Sequence, residues 1–195
     1  MRLFTGLSIP DCIASRLAVA INELSHGQDV GVGLAWTKPE NLHITLKFIG
    51  QWAESRLPEL QTALAGMERD GSFESGLKLT VSRFGFWPNP HQPTIFFAAV
   101  QPAPELHALV RRIDDALILP GCEPEQLPFT PHVTLARIKR TNIVGLRERV
   151  AAMVTMQEFE FGSFTPQEFH LYSSAPSPAG SVYTKLSSYP LVRTA

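Results

Sequence analysis

Cysteine is scarce in this chain of 195 residues, and the two thiols, Cys12 and Cys122, form no Cys-x-x-Cys pair. Small secreted domains that depend on disulfides carry many more cysteines, so a disulfide framework is excluded and both thiols are expected to be reduced. A cysteine-based zinc site is disfavoured as well, and no His-x-x-x-His pattern on a predicted helix replaces it. We therefore expect neither a metal nor a cofactor.

An excess of basic residues is also absent. Lys and Arg total 17 and Asp and Glu total 18, which gives a net charge of −1 and a pI near 6.6. Binding along a nucleic-acid backbone requires a basic face, so this balance argues against it but leaves room for a site that holds one terminal phosphate. No apolar run approaches the length of about 18 residues that suggests a membrane span, and no signal pattern opens the chain. These absences predict a soluble, cytoplasmic protein without membrane contact.

The feature that stands out is a repeated tetrapeptide, His43-Ile44-Thr45-Leu46 and His132-Val133-Thr134-Leu135. Chance predicts roughly 0.04 copies of His-x-Thr-Leu from this composition, so two copies require an explanation. Successive side chains of a strand point to opposite faces. Each motif on a strand therefore places its His and Thr on one face and its two aliphatic residues on the other.

Hydrophobic spacing predicts alternating strands and helices around these motifs. Helices are predicted where apolar residues recur at a helical period: Ile13 to Leu24, Leu57 to Met67, Leu106 to Leu117 and Val144 to Met153. Strands are predicted at Leu3 to Ile9, Leu42 to Ile49, Leu77 to Phe86, Thr94 to Val100, Val133 to Ile138, Glu158 to Phe164, Glu168 to Ser173 and Val182 to Leu186.

The order strand, helix, motif strand occurs twice, which favours an internal duplication. Leu3-Phe4 aligns with Ile95-Phe96 at an offset of 92, whereas the motif histidines differ by 89. We predict a single α+β domain over residues 1–195, with two interleaved lobes that each contribute one motif to a shared groove.

A pair of histidines can perform both proton transfers of a phosphodiester cleavage. A neutral imidazole accepts a proton near pH 7 and an imidazolium donates one. The adjacent threonine hydroxyls can donate hydrogen bonds to phosphate oxygens where negative charge accumulates. A single His-x-Thr is more often structural, but the matched pair favours catalysis. His26, His91 and His107 are expected to be solvent-exposed, and a role for His170 stays open.

The residues around both motifs resemble the 2H phosphoesterase superfamily. The similar segments include Trp36-Thr37-Lys38-Pro39-Glu40-Asn41-Leu42-His43, Lys47-Phe48-Ile49-Gly50 and Pro128-Phe129-Thr130-Pro131-His132-Val133-Thr134-Leu135-Ala136-Arg137. Within the superfamily the chain resembles the RNA 2′,3′-cyclic phosphodiesterases, also called 2′–5′ RNA ligases, over almost its whole length.

This resemblance implies a bilobed α+β fold, with two pseudo-twofold-related, mostly antiparallel sheets flanked by helices around a central cleft. It implies hydrolysis of an RNA-terminal 2′,3′-cyclic phosphate to a 2′-phosphomonoester without a metal. His43 would be the proton donor and His132 the proton acceptor, while Thr45 and Thr134 hold the phosphate. The reverse reaction would join such an end to a 5′-hydroxyl without ATP, and a monomer is expected.

Three further residues are candidates for substrate binding. Arg137 matches an arginine of the family pattern, but strict alternation from His132 puts it on the opposite face, so a β-bulge or a strand twist is needed to re-aim it. Phe48 and Phe129 are candidates for stacking on a base, although an aromatic beside a strand is more often part of the core. Trp87, in a proline-rich loop, is a candidate for the rim of the cleft.

Two alternatives remain open at this point. The same histidine pair could open a small cyclic nucleotide or an ADP-ribose cyclic phosphate. A non-catalytic nucleotide-binding module could also keep the motifs as a phosphate clamp, although intact His and Thr in both motifs disfavour it.

Overall fold

The structure is a computed structural model, which describes residues 1–25, 34–67, 76–88, 92–138, 148, 160–177 and 180–191. The predicted helix from Val144 to Met153 lies outside the described residues except for Glu148, and so do His26 and His91.

The described part of the chain contains three α-helices and nine strands, besides short 3₁₀ helices at Pro39–Asn41 and Glu54–Arg56. In chain order they are β1 (Arg2–Ser8), α1 (Asp11–Ser25), β2 (Leu34–Trp36), β3 (His43–Gln51), α2 (Leu57–Ala65), β4 (Leu79–Trp87), β5 (Ile95–Val100), α3 (Pro104–Ile118), β6 (His132–Ile138), β7 (Glu160–Phe164), β8 (Glu168–Ser177) and β9 (Gly180–Pro190).

The α+β prediction is confirmed, and the described pairs of strands are all antiparallel. The strand order is β7-β4-β5-β6-β3-β1-β8-β9, with β2 added beside β6. The two predicted sheets are two four-stranded halves of this order, and they meet where β3 pairs with β6. This contact consists of a single pair, Ile44 with Val133. The short strand β2 was not predicted.

The aliphatic residues of both motifs face the core that the helices cover. Ile44 and Val133 are completely buried, in one hydrophobic cluster with Leu17 of α1 and Leu109 and Ile113 of α3. Burial of such side chains contributes about 1.5–3 kcal/mol each. The burial of alternate residues therefore holds each motif histidine and threonine on the opposite face of its strand.

Both motif strands carry a bulge at the same motif position. Between β1 and β3 the pairing skips Leu46, and between β5 and β6 it skips Leu135. A bulge puts two consecutive residues on one face, and accordingly Leu46 and Lys47 are both buried, as are Leu135 and Ala136. The residues that directly follow each bulge change face relative to strict alternation.

Candidate active site

The two motifs converge where the halves of the sheet meet. Because the pairing is antiparallel and centred on Ile44 and Val133, His43 lies beside Thr134 and His132 lies beside Thr45. All four polar side chains are half-buried and share the face opposite the core. Segments 89 residues apart in the sequence are thus brought into one site.

Each motif imidazole is anchored in the same way. Nδ1 of His43 lies 2.7 Å from the carbonyl oxygen of Asn41, and Nδ1 of His132 lies 2.8 Å from that of Thr130. A carbonyl only accepts, so Nδ1 carries the proton in both rings. In the neutral form Nε2 is therefore the atom that can accept a proton, and in the charged form it is the atom that can donate one.

Nε2 of His43 also contacts the motif threonine, at 3.1 Å from Oγ1 of Thr45. When His43 is neutral, the threonine hydroxyl donates to Nε2. When His43 is protonated, Nε2 donates instead, and the hydroxyl hydrogen becomes available to another acceptor. The protonation of His43 therefore determines whether Thr45 can donate to a ligand.

Aromatic side chains surround His43. The ring of Phe4 lies 4.8 Å from the imidazole centroid, that of Tyr183 lies 5.1 Å away and that of Tyr172 lies 6.3 Å away. The Tyr172 hydroxyl is 2.9 Å from Oγ of Ser8. These rings exclude water from one side of His43.

This environment lowers the pKa of His43 below its ordinary value. Burial is the largest cause, because it disfavours the charged imidazolium. The hydrogen bond to Asn41 acts in the opposite direction, and the positive charges of His132 and Arg137 lower the pKa of His43 further. In the free protein His43 is therefore biased towards its neutral form.

The bulge at Leu135 explains how Arg137 comes to lie on the same face of β6 as His132. One extra residue restores Arg137 to the face of His132, as the sequence argument required, and its side chain is exposed. Its positive charge is one of the causes that lower the pKa of His43. Arg137 therefore shares the face of His132 and lies within electrostatic reach of His43.

A cavity of about 220 Å³ lies beside His132 and Thr45. Phe48, Phe129 and Trp87 are among the residues that line it. The Phe48 side chain is 44% exposed, and the Arg2 guanidinium covers its ring at 4.9 Å. Phe48 is therefore exposed at the cavity, with Arg2 over one face of its ring.

Four side chains next to the motif histidines were not predicted as site residues: Phe4, Phe97, Tyr172 and Tyr183. Phe97 lies 5.3 Å from the His132 ring. The tyrosines come from β8 and β9, which reach His43 only because β8 pairs with β1. No local signal around Tyr172 or Tyr183 indicates that pairing.

Two other histidines were considered in the sequence, and of these His107 differs from expectation. His107 is half-buried rather than exposed, because Nδ1 donates to the Ala103 carbonyl at 2.9 Å and its ring packs on Phe129 at 5.6 Å. His170 is buried, with Nδ1 2.9 Å from Oγ of Ser188. Burial lowers the pKa of His170, and its contacts account for it as part of the β8–β9 packing.

Within the described ranges, no three His, Cys, Asp or Glu side chains lie close enough together to hold a metal ion. The cysteines are both free thiols, Cys12 exposed and Cys122 buried. No helix in these same ranges is long and apolar enough to cross a membrane.

Gly85 permits the close approach of Phe97 to β4. A Cβ built at this glycine would overlap the Phe97 ring, which in turn contacts His132. We expect Gly85→Ala to push the ring against His132 and to lower kcat/KM by about tenfold or more, because small misplacements of reacting groups have large kinetic effects. Steady-state kinetics with a phosphodiester substrate measures this.

Gly66→Ala is the matched control, since nothing lies within 4 Å of the added methyl group and the residue has helical backbone angles. It should leave activity unchanged. Adding Phe97→Leu to Gly85→Ala should relieve the overlap and recover part of the activity. Equal activity of the Gly85 and Gly66 variants would contradict this account of how His132 is held.

Comparison with known proteins agrees with the paired arrangement. Residues 7–97 and residues 98–183 each match the family model described as "LigT like Phosphoesterase". A protein named RNA 2′,3′-cyclic phosphodiesterase from Archaeoglobus fulgidus is 31% identical over 188 residues, which cover 95% of this chain and 98% of the relative. One of the same name from Aeropyrum pernix is 31% identical over 175 residues, covering 89% and 94%.

Solved structures show the same fold. The crystal structure of TT0787 of Thermus thermophilus superposes with a TM-score of 0.76 at 25% identity, covering 98% of both chains. The apo form of E. coli LigT superposes with a TM-score of 0.74 at 22% identity, again over 98% of both chains. Together with the two family matches, which span most of the sequence, these results establish that the chain belongs to the LigT-like phosphoesterases of the 2H superfamily.

Proposed function

We propose that this phosphoesterase hydrolyses an RNA-terminal 2′,3′-cyclic phosphate to a 2′-phosphomonoester, with His43 and His132 as the acid and the base. The matched anchoring of the two imidazoles carries this proposal, because it leaves one Nε2 from each motif available for proton transfer. The name of the Archaeoglobus fulgidus and Aeropyrum pernix relatives supports the substrate class.

In this mechanism water attacks the phosphorus while Nε2 of His132 takes its proton. The bond between phosphorus and the 3′ oxygen breaks, and Nε2 of His43 gives its proton to that oxygen. The 2′ oxygen keeps the phosphate. Each histidine leaves the reaction in the protonation state opposite to the one it began in, and exchange with solvent restores both.

The lowered pKa of His43 is compatible with its role as the donor. The positive charges of His132 and Arg137 disfavour a proton on His43 in the free protein. A bound phosphodiester brings a negative charge between these groups, which offsets the effect of Arg137 and raises the pKa of His43. Substrate binding therefore favours the protonated His43 that the reaction requires.

Thr45, Thr134 and Arg137 are proposed to hold the non-bridging oxygens. The Thr45 hydroxyl becomes a donor to phosphate when His43 is protonated, as the shared contact with Nε2 requires. The Arg137 guanidinium stabilises the additional negative charge that develops in the transition state. The fixed donors need little reorganisation, since both threonines lie on paired strands.

Phe48 and Phe129 are proposed to contact the base of the terminal nucleotide. They line the cavity that adjoins His132 and Thr45, and stacking on an aromatic ring binds bases of different identity. We also propose that no metal is required, that the reverse reaction with a 5′-hydroxyl gives a 2′–5′ linkage, and that the chain acts as a monomeric, two-lobed domain in the cytoplasm.

The test uses short RNAs with a 3′-terminal 2′,3′-cyclic phosphate. We expect turnover to a 2′-phosphate, distinguished from a 3′-phosphate by chromatography, and unchanged activity in EDTA. A 5′-hydroxyl RNA added at high concentration should give a 2′–5′-linked product.

A panel of substrates separates the alternatives. Faster turnover of 2′,3′-cyclic mononucleotides or of ADP-ribose cyclic phosphate would move the function to small molecules. Binding without turnover would identify a nucleotide-binding module. Loss of activity in EDTA with recovery in zinc would contradict the metal-independent mechanism.

A further inference from the structure

Residues 123–130 contain neither a helix nor a strand, and five of them, Glu125 and Leu127 to Thr130, form one wall of the cavity beside His132. Leu127 and Phe129 face the cavity, and the Thr130 carbonyl accepts the hydrogen bond from His132. Most side chains of this segment are exposed, and that of Leu127 is 69% exposed. Such a segment needs specific contacts to keep one position.

A second cavity, of about 200 Å³, lies along the same segment. Leu127 and Phe129 line this cavity as well as the first, and Val110 and Asp114 of α3 form part of its lining. The segment therefore borders unfilled space towards α3, and packing alone does not fix its position.

An ion pair between a buried lysine and a half-buried aspartate holds the beginning of the wall. Lys47, on β3, is only 4% exposed and pairs with Asp114 of α3. Its Nζ also donates to the Glu123 carbonyl at 2.8 Å. The Asp114 carboxylate accepts from the Glu125 backbone N–H, with each oxygen 3.2 Å from the nitrogen. Both charged groups thus bind the backbone at the start of the wall.

The bulge explains why a lysine lies in this position. It buries Lys47 beside Leu46, where both residues line the two cavities, and the matching residue of the other motif strand is Ala136. A buried charge requires a partner and filled hydrogen-bonding capacity. Here the remaining hydrogen bonds of Lys47 and Asp114 are made with the backbone of Glu123 and Glu125. The ion pair therefore holds this segment as well as joining β3 to α3.

We propose that Lys47 and Asp114 are positioning residues, which hold residues 123–130 against the cleft and thereby set the affinity for the nucleoside part of the substrate. The identity of that ligand rests on the proposed function, whereas the tether itself does not. When the tether is lost, the wall must be ordered by the substrate at each binding event, which weakens binding without altering the proton transfers at Nε2 of the histidines.

The double variant Lys47→Met/Asp114→Met tests the proposal. Replacing a buried ion pair by apolar side chains of similar volume is commonly tolerated, and both backbone contacts are lost. We expect KM to rise about tenfold, the effect of immobilising one or two additional side chains on binding, with kcat within about threefold of the parent. Amide hydrogen exchange of residues 125–127 should accelerate while that of the strands is unchanged.

Arg56→Met/Glu59→Met is the matched control. It removes another ion pair, one that also donates to a backbone carbonyl, that of Pro120, but it does not contact residues 123–130. Its KM and the exchange of residues 125–127 should equal those of the parent. An unchanged KM in the Lys47/Asp114 variant would overturn the proposal. So would a large fall in kcat together with the rise in KM, if amide exchange became faster throughout the sheet.

Asp114→Asn provides a second arm that preserves shape. Its side-chain oxygen can still accept a hydrogen bond, so KM and local exchange should lie between those of the parent and the double variant. If the double variant does not fold, the test rests on Asp114→Asn. A KM and a local amide exchange equal to those of the parent in this variant would also overturn the proposal. Because exchange does not depend on turnover, it tests the tether even if the cyclic-phosphate substrate is incorrect.

Discussion

His43→Ala and His132→Ala are each expected to lower kcat by about 10²-fold or more, the size that general acid or general base catalysis contributes. Each substitution removes one of the two Nε2 atoms that the anchored imidazoles present. The remaining histidine cannot replace its partner, because acid and base act on different oxygens. Single-turnover kinetics on a cyclic-phosphate RNA measures the chemical step directly.

The double variant His43→Ala/His132→Ala is the internal control. Groups that act as a unit are strongly non-additive, so it should lose little more than either single variant. Circular dichroism and thermal unfolding must show that the fold is intact, because His43 packs on Phe4. Activity within tenfold of the parent in either single variant would refute the two-histidine mechanism.

The regular elements and the motif pair were predictable from the sequence because their signals are local. Apolar spacing predicted α1 and α3 to within a few residues, since each helix must bury one stripe. The alternation of the motifs correctly placed Ile44 and Val133 in the core, and the residues opposite them on the other face. Both predictions depend only on backbone periodicity.

The bulge at Leu46 was not predicted, and the bulge at Leu135 was expected only on the condition that Arg137 serves the site. Both bulges control which residues after the motifs reach the site. Neither Leu46 nor Leu135 carries a local signal such as glycine, and each is skipped only because of how a distant strand pairs with it. In the strand pairing Phe4 lies opposite Phe48, and Ile95 lies opposite Arg137. Phe48 and Arg137 are five residues after their motif histidines, so the pairing makes Phe4 equivalent to Ile95. This offset of 91 (95 − 4) differs by one from the offset of 92 in the sequence alignment. In a strand, an error of one residue exchanges the two faces.

The aromatic neighbours of His43 could not be predicted from the sequence for a related reason. Tyr172 and Tyr183 are far from His43 in the sequence, and they reach it through the pairing of β1 with β8 and of β8 with β9. Contacts of this kind depend on the arrangement of the whole sheet. The result is an asymmetric cleft, in which three aromatic rings surround His43, whereas His132 has Phe97 beside it and an open cavity.

Arg137→Met is expected to lower kcat/KM by about 10²-fold, the effect of removing one donor that stabilises developing negative charge. It should also raise the pKa of His43 in the free protein, because a positive charge near an imidazole disfavours its protonated form and Arg137 is one of the groups that lower this pKa. Burial remains the larger cause, so the pKa should rise only part of the way towards the ordinary value. Titration of the His43 ring protons by NMR measures it.

The pH dependence of kcat/KM provides an independent measurement of the change in the pKa of His43. The profile should be bell-shaped, since one imidazole must be protonated and the other neutral, and one of its two inflections belongs to His43 in the free enzyme. That inflection should lie below 6.5, the ordinary histidine value, because the pKa of His43 is lowered. In Arg137→Met the same inflection should move to higher pH.

Arg137→Lys separates the charge of Arg137 from its shape. Lysine keeps the positive charge, so the pKa of His43 should stay lowered, but it lacks the planar guanidinium that donates two parallel hydrogen bonds to a phosphate. Its kcat/KM should therefore fall while its pH profile resembles that of the parent. A His43 pKa that is unchanged in Arg137→Met would mean that the bulge at Leu135 does not bring the guanidinium into the site, and the proposed role of Arg137 would be withdrawn.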